Sequence, residues 1–460
     1  MLDNVAIHLF KTPMNHYLYD LNTNLFVKVS SVLFDYLNDS AALSDDVQME
    51  IARLHESGIL KNYPVKYIQH PESRILRYKL DRHLNNLVLQ ITQQCNLRCR
   101  YCVFSGSYTG RIHSEKSMSM EIARKAIDFF LERTIDANKV SIAFFGGEPL
   151  LRFDLVKELV GYAERKTSKE IIFVITTNGT LLNEQMIEFF IKHNLLLTIS
   201  FDGDKRIHDK NRVFADGKSG TFDIITSKIE KLRHKYPDYF SEVRFNVVMD
   251  QKESFSCTNK FFLDYDAAKN GIVSSTLIND NYSTGDILES ESFIKDYNYE
   301  KFKCFLSEIG SIEKKYMSLL VEPKIISVKE KMKNRIHFSL AEMNHHSGTC
   351  IPGVQKLFVT VDGKFYPCER VNEESYVMNI GNIHEGFDEN KILDLMNFGK
   401  LTEEECKTCW AFRFCELCPI SADKDSELSR SMKLKKCEEM KIKLETNIKE
   451  YLLLKDFNCI

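Results

Sequence analysis

Three cysteines, Cys95, Cys99 and Cys102, share one short run, Gln94-Cys-Asn-Leu-Arg-Cys-Arg-Tyr-Cys102. The Cys-x3-Cys-x2-Cys spacing puts all three thiols on a single loop, and the fold has to present that loop where metal is held. Such a loop can wrap three irons of an iron–sulfur cubane, which normally takes four thiolates. A structural zinc site would want a fourth ligand close by, and the next cysteine, Cys257, is more than a hundred residues away. The missing ligand leaves one iron open to a small molecule.

The rhythm around the loop predicts the fold. Apolar strand candidates run over Leu87–Thr92, Val140–Phe145, Ile171–Thr176, Leu195–Ser200, Val243–Met249 and Ile272–Ile278. Amphipathic helices such as Met120–Arg133, Asn183–His193 and Phe222–Lys235 fill the gaps. Six such units predict an α/β fold, a parallel sheet curled as a partial (β/α)6 barrel. Parallel barrels carry their chemistry on loops at the C-terminal strand ends, and the cysteine loop follows the first strand directly.

Around this core, residues 86–320, other units are expected. Residues 1–85 read as a small, separate unit with strands Ala6–Lys11, His16–Asp20 and Leu25–Val29. A helix N-capped by Ser44 follows in that unit, with Val47, Ile51 and Leu54 on one face, and the order is winged-helix-like. Residues 321–345 form a helical bridge, with Lys324–Arg335 as a solvated basic helix. Residues 346–460 are cysteine-dense and end in a helix over Glu439–Leu454.

Composition narrows the function. Hydrophobic residues make up 43% of 460, enough for a real core, and a net charge of −3 argues against a nucleic-acid partner. The N-terminus lacks a basic region followed by an apolar run, and no stretch approaches the length of a membrane span, so a cytoplasmic protein is expected. Thirteen cysteines without a secretion signal point to metal before disulfides. Cys257, Cys304 and Cys459 stand apart and read as buried packing.

Further motifs gather at strand ends. Phe145-Gly-Gly-Glu-Pro149 follows the second strand; its glycines allow close backbone approach to a ligand, and Glu148 can accept from a cation. Asn178, Ser200 and Asp202 stand at the next two ends, where polar groups can orient a ligand or simply form turns. His208-Asp-Lys-Asn-Arg212 follows, with His208 and Asp209 read as structural. The C-terminal cysteines are Cys350, Cys368, Cys406-x2-Cys409, Cys415-x2-Cys418 and Cys437. Taken alone, Cys-x2-Cys pairs point to zinc at least as often as to iron.

Together these motifs resemble the radical S-adenosylmethionine (SAM) family, whose open cluster iron chelates the SAM amino and carboxylate groups. The resemblance makes Tyr101 the aromatic residue before the last cysteine. It gives Gly146, Gly147 and Glu148 to the SAM amino group, Asn178, Ser200 and Asp202 to its ribose and carboxylate, and Arg212 to the carboxylate. The seven C-terminal cysteines resemble a SPASM domain, with a two-residue gap before the sixth where three is usual. That likeness implies two auxiliary 4Fe-4S clusters, one on Cys350, Cys368 and Cys418, the other on Cys406, Cys409, Cys415 and Cys437.

Seven thiolates leave one auxiliary iron short of a ligand, for which His345, His346 or a substrate cysteine are candidates, with plain solvated loop histidines as the alternative. Glu369, beside Cys368, is a candidate catalytic base, with an ion pair to Arg370 or another cation as the alternative. Overall the chain is similar to SPASM maturases that form thioether crosslinks in ribosomal peptides (ranthipeptide or sactipeptide type). The implied cofactors are SAM and three 4Fe-4S clusters. The implied partners are a Cys-rich precursor peptide, whose leader adds as a strand to the N-terminal unit, and a flavodoxin- or ferredoxin-type electron donor. Rival expectations are formylglycine formation by a sulfatase-maturase-like enzyme and a colourless, zinc-stapled binding protein.

Overall fold

In the computed structural model, which describes residues 5–62, 64–337, 339–346 and 350–459, the chain opens with β1 (Ile7–Lys11), β2 (His16–Asp20) and β3 (Leu25–Val29). They pair antiparallel in chain order. Side chains alternate across a strand, so Leu18 faces one way and Tyr17 and Tyr19 the other. Leu18 joins Leu33, Val47, Ile51 and Leu54 in a small core, closed by the Ser44-capped helix Asp45–Glu56.

The opposite face is not free. Phe10, Tyr17, Tyr19 and Phe26 pack on Phe412, Ile448, Tyr451 and Leu452 near the other end of the chain. Asp456 accepts hydrogen bonds from Thr12 Oγ1 (2.5 Å), Asn15 Nδ2 (2.6 Å) and Tyr17 Oη (2.5 Å), and Trp410 stacks on His8 at 4.1 Å. The expected separateness of this unit is therefore corrected. A three-stranded sheet has two faces, its own helices cover one, and the C-terminal region covers the other.

A linker strand, β4 (Tyr67–Ile68), leads to β5 (Asn86–Thr92), β6 (Lys139–Gly146), β7 (Glu170–Thr177), β8 (Leu195–Ser200), β9 (Arg244–Met249) and β10 (Ile272–Leu277). All six core strands are parallel and neighbour one another in chain order, within a residue or two of expectation. Runs such as Leu-Val-Leu-Gln-Ile and Ile-Ile-Phe-Val-Ile are apolar on both faces, as strands covered on both sides must be. Among the described residues no helix is long and apolar enough to cross a membrane.

The C-terminal region continues the same sheet. After β11 (Met343–Asn344), which pairs with β4, come β12 (Leu357–Val359), β13 (Lys364–Tyr366), β14 (Gly381–Asn382) and β15 (Gly386–Phe387). β12 lies parallel to β5, with Phe358 opposite Val88, and the later strands extend the sheet antiparallel. Leu357, Phe358 and Phe365 share one core with Leu87 and Ile142.

Two helices differ from expectation. The bridge helix runs over Glu322–Lys333 with Ile325 and Met332 buried, and Arg335 beyond it lies over the rings of Phe26 and Tyr451. It ties the two ends of the chain together and is not a solvated connector. The last helix spans Arg430–Asp456, capped by Ser429, and so carries Cys437. Cys304 is buried as expected, whereas Cys257 and Cys459 are only half-buried.

Candidate active site

Cys95, Cys99 and Cys102 occupy the loop leaving β5. Burial raises all three thiols, Cys95 and Cys99 to about 12, and each of those two also feels the charge of Cys102. Among the described residues no three His, Cys, Asp or Glu side chains are arranged to hold a single metal ion. A cubane makes a different demand, one thiolate at each of several iron corners.

The glycine pair holds this loop. Gly146 has φ +150°, and a Cβ there would stand 2.2 Å from the Thr92 carbonyl oxygen; one on Gly147 would stand 2.0 Å from that of Gln94. The Gly147 and Glu148 amides donate to those same two oxygens at 2.8 Å. The close approach expected toward a ligand is thus made first to the stem of the cysteine loop. Gly147→Ala is expected to cost about 1–3 kcal/mol and to displace the loop. An unchanged denaturation midpoint would show that the loop gives way freely.

Glu148 is buried and used internally. Its carboxylate accepts from Leu150 N (3.0 Å), Thr177 Oγ1 (2.6 Å) and Asn178 N (2.8 Å), while burial lifts it to about 6. Asn178 clamps the loop as well: its Nδ2 donates to Asn96 Oδ1 at 2.9 Å and lies 4.0 Å from Cys95 Sγ. Ser200 ends β8 opposite Asn246.

Asp202 and Arg212 form a buried ion pair, Nε to Oδ2 at 2.7 Å and an NH2 contact to Oδ1 at 3.2 Å. Tyr101 donates its hydroxyl to Asp202, and its ring lies 5.4 Å from the Arg212 guanidinium. The carboxylate that Arg212 meets here is therefore internal, with its second terminal nitrogen left for another acceptor. His208 is structural, as expected. Its Nδ1 accepts from Asp202 N, so Nε2 carries the proton toward Thr221 Oγ1, and burial holds the ring neutral, with its pKa at about 3. Asp209 accepts from the Thr221 and Phe222 amides.

The seven C-terminal cysteines form two groups. Cys350 is exposed as a residue, but its thiol is desolvated and raised to about 11, and it feels Cys368 and Cys418. Cys415 feels Cys409, Cys437 and Cys406. His345 and His346 are buried, not solvated; His345 packs by Gly399 and feels His70 and Lys433.

A cavity of about 300 Å³ lies between loop and module. Val103 and Tyr108 reach it from the cysteine loop, Phe145, Asn246 and Thr276 from β6, β9 and β10, and residues 369–372 from just after Cys368. Glu369 lines it, but Lys356 Nζ sits 2.9 Å from both carboxylate oxygens and holds it below the usual range against the opposing effect of burial. The alternative ion pair is formed, with Lys356 in place of Arg370. Arg111, paired with Glu373 at 3.1 Å, and Gln90, whose Nε2 donates to Glu373 at 2.9 Å, join β5, the loop and the module. These three went unread because a lone Arg, Gln or Glu carries no spacing signal.

Residues 89–255, which hold the cysteine loop, the glycine pair and the Asp202–Arg212 pair, match the family model described as the radical SAM superfamily. The chain contains a radical SAM domain. The radical SAM cyclopropyl synthase TigE of Paramaledivibacter caminithermalis is 26% identical over 60% of this chain. An uncharacterized protein of Methanocaldococcus jannaschii is 36% identical over 31%. The chain spans only 57% and 46% of those two relatives. The cysteine-type anaerobic sulfatase-maturating enzyme of Clostridium novyi is 26% identical over 73% of this chain and 87% of its own. The solved structure of anSMEcpe with bound AdoMet shares the fold, with a TM-score of 0.57 at 22% identity over 79% of this chain and 99% of that one.

The cysteines of this radical SAM domain fit an iron–sulfur cluster chemically. Desolvated thiols are poor thiolates until a metal compensates their charge, and Arg212 already pulls Cys99 in that direction.

Proposed function

We propose that the chain modifies a ribosomally made, Cys-rich precursor peptide, joining a cysteine sulfur to a peptide carbon as a thioether. The observation that carries this reading is the cavity shared by the cysteine loop, the strand ends and the segment after Cys368. A peptide side chain entering it meets the cysteine loop on one wall and the C-terminal module on the other.

In this reading Cys95, Cys99 and Cys102 bind a 4Fe-4S cluster. Arg212 gives its free terminal nitrogen to the SAM carboxylate, and Glu148, Asn178 and Ser200 line the rest of that site beside the backbone of Gly146 and Gly147. When bound, the cluster and SAM would supply 5′-deoxyadenosyl radical chemistry toward a peptide carbon–hydrogen bond. The protein's own part is to orient groups and exclude water. Tyr108, 7% exposed, closes the cavity by donating to the Asn279 carbonyl at 2.8 Å.

Cys350, Cys368 and Cys418, and separately Cys406, Cys409, Cys415 and Cys437, would hold two auxiliary clusters, which would supply an acceptor for the surplus electron. The electrostatic grouping of the thiols supports that division. β1 and β3 are the outer strands of the N-terminal sheet, where a leader can add as a further strand. A flavodoxin- or ferredoxin-type donor reduces the system.

A second reading, formylglycine formation, is favoured by the coverage of the sulfatase-maturating relative. Mass spectrometry of a co-expressed Cys-rich peptide separates the two. A thioether keeps the sulfur and loses two hydrogens, which is the expected result. Loss of the sulfur would overturn it in favour of formylglycine.

A further inference from the structure

The helix Arg430–Asp456 brings Cys437 to the four-cysteine group and presents Lys433 one turn earlier on the same face. Lys433 is 1% exposed. Its Nζ lies 3.2 Å from the Phe398 carbonyl oxygen, 3.4 Å from that of Gly399, 4.0 Å from Cys406 Sγ and 4.4 Å from the centre of the Phe398 ring.

Among the described residues no carboxylate lies within ion-pair distance of Lys433, and nearby Glu405 pairs with Arg430. A buried ammonium without a counter-charge is costly. Burial lowers the Lys433 pKa, and the negative groups that oppose this are the sulfurs of Cys406, Cys437 and Cys415, followed by the more distant Glu405. The other cysteine group differs. There the neighbouring lysine, Lys356, is neutralised by Glu369, and the cation that acts on Cys418 is Arg370.

We propose that Lys433 is the built-in counter-charge of a cluster on Cys406, Cys409, Cys415 and Cys437, tuning its potential upward so that it accepts the outgoing electron. This rests on reading those cysteines as cluster ligands. Reduction adds one electron and one negative charge and changes no bond, so a fixed cation beside a ligand sulfur favours the reduced form. Lys433 is a positioning and tuning residue, not a catalytic one.

The test is a potentiometric titration of the anaerobically reconstituted full chain, followed by electron paramagnetic resonance, with iron counted. Lys433→Gln is expected to keep its iron and lower one midpoint by a tenfold change in the reduction equilibrium, about 59 mV for one electron. Lys433→Arg should stay at the wild-type value. If the Gln variant loses one cluster's iron while the Arg variant keeps it, the charge is again what the site needs. Unchanged midpoints in Lys433→Gln, or equal changes in both variants, would overturn the proposal. A wild-type chain with iron for one cluster only fails the underlying reading, and that is visible before any variant is made.

Discussion

Cys99→Ala is expected to reduce anaerobic 5′-deoxyadenosine formation to background, with Cys95→Ala and Cys102→Ala doing the same. Three thiols on one loop are the whole protein supply for the cluster in this reading, and the nearest further cysteine in sequence, Cys257, lies on the helix Phe255–Asp264 of the core. The fold should survive. Cys99 belongs to the loop and not to a strand, and Leu97 and Phe104, which flank it, keep their buried places. Removing one sulfur from such a site costs about 1 kcal/mol, too little to unfold a domain of this size. A variant with normal circular dichroism, depleted iron and no SAM cleavage is the predicted outcome. SAM cleavage at the wild-type rate would remove the cysteine loop from the mechanism.

The six parallel core strands were legible because parallel strands covered on both faces are written as apolar runs such as Leu-Leu-Leu-Thr-Ile-Ser. Their loops were legible for a related reason: polar residues crowd where such runs stop. The extension of the sheet through β12 and β13 was not legible, because strands of three residues leave no period to read. The true start of the last helix was hidden in Arg-Ser-Met-Lys-Leu-Lys-Lys-Cys, which is too charged to show an apolar stripe.

The site shows the same division. Cysteine spacing is a local signal, so the loop and the C-terminal run of cysteines were legible, while the division of that run into two sets came only from the resemblance. Partnerships between distant residues are not local. Glu148 with Thr177, Asp202 with Arg212 and Glu369 with Lys356 each join residues whose pairing only the fold decides. Removing residues 1–80 is for this reason no simple test of leader binding. It would strip the apolar face of Phe412, Ile448 and Tyr451 of its cover, and loss of peptide binding could then follow from unfolding.

The Asp202–Arg212 pair supports the larger stability prediction. Asp202 is fully buried, and its two oxygens accept from Arg212, from Tyr101 and, at 3.0 Å, from Val248 N. Asp202→Ala leaves a buried guanidinium without its charge, and a hydroxyl and a strand amide without an acceptor. Breaking a buried pair from one side costs about 3–5 kcal/mol, because the stranded charge cannot reach water. Removing both charges in Asp202→Ala with Arg212→Met should cost less than Asp202→Ala alone, as no charge is then stranded. Urea denaturation of the iron-free chain reads both differences without reference to activity. The consequence reaches the cysteine loop, because Asp202 raises the Cys99 thiol while Arg212 lowers it. A folded Asp202→Ala variant should therefore alkylate faster at Cys99 than wild type at neutral pH, and an Arg212→Met variant more slowly. If Asp202→Ala shifts stability by less than about 1 kcal/mol, the pair is solvated in solution and Arg212 is free for an incoming carboxylate from the start.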